Sequence, residues 1–113
     1  VEIMRSNPVS PSIIDYGSRF ITSMVEADPE YANEAVPGIT SILTCMKLHT
    51  RNEPLIEALC KSLHSLVLAS ENCADRVISA DGVTIIETLL NANENNTLIV
   101  QQCNSLLHVL RNT

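Results

Sequence analysis

The stretch Leu55-Ile-Glu-Ala-Leu-Cys-Lys-Ser-Leu-His-Ser-Leu-Val-Leu-Ala69 decides how this chain folds. Leu55, Ile56, Leu59, Cys60, Leu63, Leu66 and Val67 fall at the i, i+3, i+4, i+7 spacing of a single helical face, and a face so apolar must be buried. Downstream, Leu98-Ile-Val-Gln-Gln-Cys-Asn-Ser-Leu-Leu-His-Val-Leu110 carries nearly the same pattern. Upstream, Ile13-Ile-Asp-Tyr-Gly-Ser-Arg-Phe-Ile-Thr-Ser-Met-Val25 carries a fainter one. A long amphipathic helix that recurs in this way marks a repeat architecture, in which each unit buries its face against its neighbours.

Working outward, the residues between the long helices recur as well. Residues 1 to 11, with Pro8 and Pro11, read as an extended lead-in, because proline lacks a donor and disfavours helix in the residue before it. Ser12 is placed to cap a helix over about Ile13 to Ala27 that buries Ile13, Ile14, Gly17, Ile21, Met24 and Val25. Asp28-Pro29 ends it and opens the next unit, with Asp as cap and Pro at the first helical position. A short helix Glu30 to Val36, a break at Pro37-Gly38 and a medium helix Ile39 to Leu48 follow. In the medium helix Ile39, Ile42, Leu43 and Met46 point inward, and the polar run His49 to Pro54 then leads into the long helix. The order then repeats: short helix Asn72 to Ser79, break at Asp81-Gly82, medium helix Val83 to Ala92, polar turn Asn93 to Asn96, long helix to about Arg111. Gly38 and Gly82 stand 44 apart, Cys60 and Cys103 43, Ile21 and Leu63 42. The period lies inside the roughly 40–47 residues of two- and three-helix solenoids. Residues 12–113 thus form the repeat domain: 12–27 the last helix of one repeat, 28–69 a second repeat, 70–113 a third.

Of the 113 residues 45% are hydrophobic but only 3% aromatic, so the core is built from Leu, Ile, Val and Ala, as in helical stacks. The net charge of −6 disfavours nucleic acid and anionic membrane and favours a neutral or basic partner. The four cysteines lack C-x-x-C spacing, which argues against a metal site. Cys45, Cys60 and Cys103 lie within apolar helical patterns and read as reduced core thiols of a cytoplasmic protein. The N-terminal Val-Glu-Ile-Met-Arg-Ser-Asn-Pro is no signal peptide, and no apolar run approaches about 18 residues. Because the pattern is cut at both ends with no clearly polar cap helix, the chain is expected to be a piece of a longer array. Self-association or missing repeats would then cover its terminal faces.

The passage Val77-Ile-Ser-Ala-Asp-Gly-Val-Thr-Ile-Ile-Glu-Thr-Leu-Leu90 resembles the run from the short first helix of an armadillo repeat, through its Gly turn, into the second helix. Glu34-Ala-Val-Pro-Gly-Ile-Thr-Ser-Ile-Leu43 is the matching piece one repeat earlier. The resemblance covers about 100 residues and implies an all-α, right-handed α-solenoid of about two and a half three-helix repeats. Two-helix HEAT repeats are the near alternative, disfavoured by the short extra helix before each Gly. It also implies a non-enzymatic scaffold that binds a partner protein or peptide in a groove lined by the third helices. In well-matched peptide binders of the family an Asn late in each third helix grips the peptide backbone. That slot falls here on Ser23, Ser65 and Val109, or on His108 if the last helix is aligned one residue differently. The Trp slot one turn earlier holds Arg19, Lys61 and Ser105. Neither residue type is present, which argues against a periodic peptide ladder of the importin kind and leaves groove binding open.

On the residues themselves, Asp15 with Arg19, Glu57 with Lys61, and Gln101 with Ser105 form i, i+4 pairs on matching sides of the three long helices. Stacking would set them side by side as a candidate recognition surface, together with Ser23, Ser65 and His108. The plainer account of such pairs is a solvated face with weak ion pairs. The other expectation for the chain is a structural one: a segment that stacks or forms homodimers with no ligand of its own. No cofactor and no catalysis are expected. His64 and His108 match by repeat geometry alone, no nucleophile sits on a G-x-S-x-G turn, and Gly17, Gly38 and Gly82 lie too far apart to cradle phosphate. The sequon Asn95-Asn96-Thr97 reads as incidental.

Overall fold

Asparagine opens each long helix that follows a polar turn. Asn52 Oδ1 accepts from the backbone N–H of Leu55 at 3.4 Å, and Asn96 Oδ1 accepts from that of Ile99 at 3.1 Å. Each cap satisfies one of the donors a helix start leaves unpaired. The computed structural model describes residues 11–112, and of residues 11–16 and 18 only the backbone. Residues 1–10 of the lead-in and the side chains of Ile13, Ile14 and Asp15 fall outside the described residues; the first helix already includes Pro11, so Ser12 lies inside it and is not its cap.

Among the described residues the protein is all-α and has no strand. Helix α1 spans Pro11–Ala27 and α2 Tyr31–Ala35; a 3₁₀ turn Val36–Gly38 leads into α3, Ile39–Leu48. Then come α4, Glu53–Ala69, α5, Glu71–Ser79, α6, Gly82–Ala92, and α7, Thr97–Arg111. The short helix expected over Glu30 to Val36 is tighter than its pattern. Asp28 Oδ1 accepts from Glu30 N at 3.2 Å in a turn, and regular helix starts at Tyr31. The expected break at Pro37-Gly38 is the 3₁₀ turn itself.

Helices at matching positions pack on one another: α1 on α4 and α4 on α7, α2 on α5, α3 on α6. The hydrogen bonds between these units span 40 to 43 residues, close to the repeat interval read from the sequence. Thr22 Oγ1 and Ser62 Oγ lie 2.8 Å apart across 40 residues, Cys73 Sγ donates to Ala32 O at 3.1 Å across 41, and Asn93 Nδ2 donates to Thr50 O at 2.8 Å across 43. Asn93 also donates to Leu89 O at 3.0 Å and is almost fully buried, so its amide ties the end of α6 to the turn after α3. On the outside of the medium helices Thr44 Oγ1 bonds back to Thr40 O and Thr88 Oγ1 to Thr84 O, equivalent pairs in equivalent exposure.

The core runs as one cluster through all seven helices and is densest along α4, whose Leu55, Ile56, Leu59, Cys60, Ser62, Leu63, Leu66 and Val67 are buried. All four cysteines are free and buried, Cys73 among them, although its sequence surroundings did not mark it as core. Met24 is only half-buried, whereas Ile21 and Val25 on the same helix are fully covered. No helix among the described residues is long and apolar enough to cross a membrane.

Candidate functional site

The side-by-side packing of α1, α4 and the start of α7 leaves a cleft of about 430 Å³. Arg19, Ser23 and Glu26 reach it from α1; Pro54, Glu57, Ala58 and Lys61 from α4; Leu98 and Gln102 from α7. Helical spacing explains the set, since 19, 23 and 26, or 54, 57, 58 and 61, are the residues that one helix shows on one side. The charges balance, with Arg19 and Lys61 against Glu26 and Glu57, and Leu98 supplies an exposed apolar side chain beside Pro54 and Ala58.

Of the residues selected from sequence, Arg19, Ser23, Glu57 and Lys61 converge here. Ser65 is half-buried one turn beyond Lys61, outside the lining, and Asp15 lies among the residues whose side chains are not described. Gln101 and Ser105 are exposed on α7 but do not line the cleft. α7 turns Leu98 and Gln102 into it instead. The caps Asn52 and Asn96, 44 apart, make Leu98 the counterpart of Pro54, and Gln102 that of Ala58. The same offset sets Val109 in the slot of Ser65, half-buried against the core, and pairs the exposed His108 with His64, which removes His108 from that slot.

The expected ion pair between Glu57 and Lys61 is replaced by a bond from α4 to the cap of α7: Glu57 Oε1 accepts from Asn96 Nδ2 at 3.2 Å. One asparagine therefore both caps α7 and orients the carboxylate of α4. A carboxylate held by an amide of the next unit is better fixed than one paired to a flexible lysine on its own exposed helix. Gln102 is the other residue that sequence reasoning missed. Its Oε1 is shielded from solvent and has no hydrogen-bond partner among the described residues, so the fold leaves that bond unmade beside the cleft. Helical spacing could have found it: Gln102 flanks the apolar stripe of Ile99, Cys103 and Leu106, whereas Gln101 lies on the opposite side of α7.

The remaining reactive groups lie away from the cleft chemistry. A thiol–thiol hydrogen bond with Cys103, together with burial, pushes the Cys60 thiol well up from its ordinary range, so it stays protonated and unreactive. No group of His, Cys, Asp and Glu able to hold a metal ion occurs among the described residues. Burial holds the His64 imidazole below its usual value, since the charged form loses hydration. The unfolded chain takes this proton near pH 6.5 and the folded chain only at lower pH, so protonation favours unfolding and stability falls as the medium is acidified. His64→Gln is expected to flatten the decline of the urea midpoint between about pH 6.5 and 5 while leaving the value at pH 8 close to the parent's. Superimposable pH profiles would rule out this contribution.

No family model, curated protein or solved structure matches the chain.

Proposed function

We propose that the chain is an armadillo-type right-handed α-solenoid of about two and a half three-helix repeats, working in the cytoplasm as a non-enzymatic protein-interaction module. The partner, a protein or peptide of neutral or basic character, lies along the third helices α1, α4 and α7. One observation carries the reading: Arg19, Glu57 and Lys61, chosen by their spacing, and Ser23, chosen by the resemblance, meet from two helices in one cleft. The row packing of α1, α4 and α7 supports the solenoid, because in such an array each helix meets its own counterpart one period away.

Within the cleft each contact has a distinct role. An extended partner would set an apolar side chain over Leu98, Pro54 and Ala58 and meet carboxylates at Glu26 and Glu57 that suit a basic residue. Affinity then comes from a few anchors and not from area. The charge balance of the cleft adds specificity and steering more than raw binding energy.

The test is capture from the source cell with the parent chain and with Arg19→Glu/Lys61→Glu. Both positions are exposed, so the double reversal is expected to move the melting temperature by no more than about 2 °C. It is expected to reduce the captured partner at least tenfold, about 1.4 kcal/mol. Equal capture by the two chains would remove the cleft from the binding role.

A further inference from the structure

Aligning the last two units by their landmarks shows what a following helix layer does to each position. Gly38 with Gly82, the C-caps His49 with Asn93, and the N-caps Asn52 with Asn96 all stand 44 apart. Under that offset Ile42 and Ile86, Leu63 and Leu107, and Leu66 and Leu110 are buried in both units, so they face their own or the preceding unit. A second set changes. Leu43, Cys60 and Val67 are 2%, 0% and 5% exposed, while their counterparts Glu87, Asn104 and Arg111 are all exposed. These are the positions that α5, α6 and α7 cover in the earlier unit, as the contact of Cys60 with Cys103 of α7 illustrates.

The chemistry changes with the exposure. Leucine, cysteine and valine become glutamate, asparagine and arginine, and the two charged residues join: Arg111 Nη2 donates to Glu87 Oε2 at 3.0 Å, tying α7 to α6 across the outer face. Val83, Leu90 and Val100 keep apolar side chains in this set but are half-buried by their own unit. Covering the face would take an ion pair and an amide out of water, which costs free energy unless the covering surface supplies matching polar groups. The expectation of bare apolar faces at both ends therefore fails at this one.

We infer that the outer face of α6 and α7 is a polar end cap: solvent covers it, and no second copy of this chain stacks there. This rests on the solenoid reading proposed above. Its place in the function is to stop copies of this chain from adding to the stack at this end, where an exposed apolar seam would otherwise drive open-ended association.

Thiol labelling separates the two layers of this claim. The four native cysteines are buried, so the folded parent is expected to react slowly with a maleimide. Asn104→Cys restores at the last unit the thiol that Cys60 provides in the one before, and should add one thiol that reacts as fast as in the unfolded chain at every protein concentration. Protection of that thiol, whether constant or growing with concentration, would overturn the cap. Fast labelling of Cys60 and Cys103 in the parent would instead overturn the stacking beneath it. In sedimentation velocity Glu87→Leu/Arg111→Val, which restores the apolar residues of the earlier unit, should associate with rising concentration where the parent does not. A variant sedimenting like the parent at all concentrations would show that these residues do not keep the face open, and the proposal would fall.

Discussion

Leu63→Ala is expected to lower the free energy of unfolding by about 3 kcal/mol, a large share of the roughly 5–15 kcal/mol that holds a domain together. Leu63 is fully buried on α4, the helix with long neighbours on both sides, α1 and α7. Truncation removes the transfer energy of the lost carbons and leaves a cavity. The cavity closes poorly, since α7 is held by α6 and cannot settle inward alone. Leu68, five residues on along the same helix, is 63% exposed, and Leu68→Ala is expected to change stability by no more than about 0.5 kcal/mol. Urea denaturation of the two variants checks the pair. Equal effects would mean that α4 is not the buried centre of the stack.

The second large effect is expected where the chain leaves α5 for α6. A Cβ built on Gly82 would stand 2.3 Å from Val77 Cγ1 and 2.6 Å from Val77 O. The valine methyl can rotate away, but the carbonyl oxygen is backbone and moves only if the end of α5 moves with it. Gly82→Ala should therefore cost about 2–3 kcal/mol through overpacking. Its neighbour should behave in the opposite sense. Asp81 is the one described non-glycine residue with positive φ, at 62°, a region that costs a side-chain-bearing residue about 1 kcal/mol. Asp81→Gly relieves that strain, partly offset by a more flexible unfolded chain, and is expected to stabilise the protein by about 0.5 kcal/mol. If both substitutions destabilise alike, the turn is not governed by the space beside Val77.

That turn shows where sequence reasoning reaches its limit. The Asp81-Gly82 break was readable as a break, and the glycine marks it correctly. Its purpose was not readable, because the left-handed conformation falls on the aspartate and the glycine is needed for clearance against another helix. Clearance is a distance between elements, and no local pattern encodes it. The cleft divides in the same way. The positions of Arg19, Ser23, Glu57 and Lys61 on one side of their helices follow from 3.6 residues per turn, so they were found. Glu57 pairing with Asn96 in place of Lys61 depends on how far α7 is rotated and raised against α4.

By itself the sequence determined the helical class, the order of short, medium and long helices, and the aliphatic faces to be buried, because each is written in local spacing, caps and breakers. It also determined the 42–44 residue interval, since equivalent residues recur at it. The tertiary structure alone decided which apolar positions are sealed by a following helix layer and which are left outside, so only there did Glu87 and Arg111 become a bonded pair and not two surface charges. The physical reason is that burial belongs to a pair of surfaces: a helix specifies its own face, and its neighbour's placement specifies how much of that face meets water.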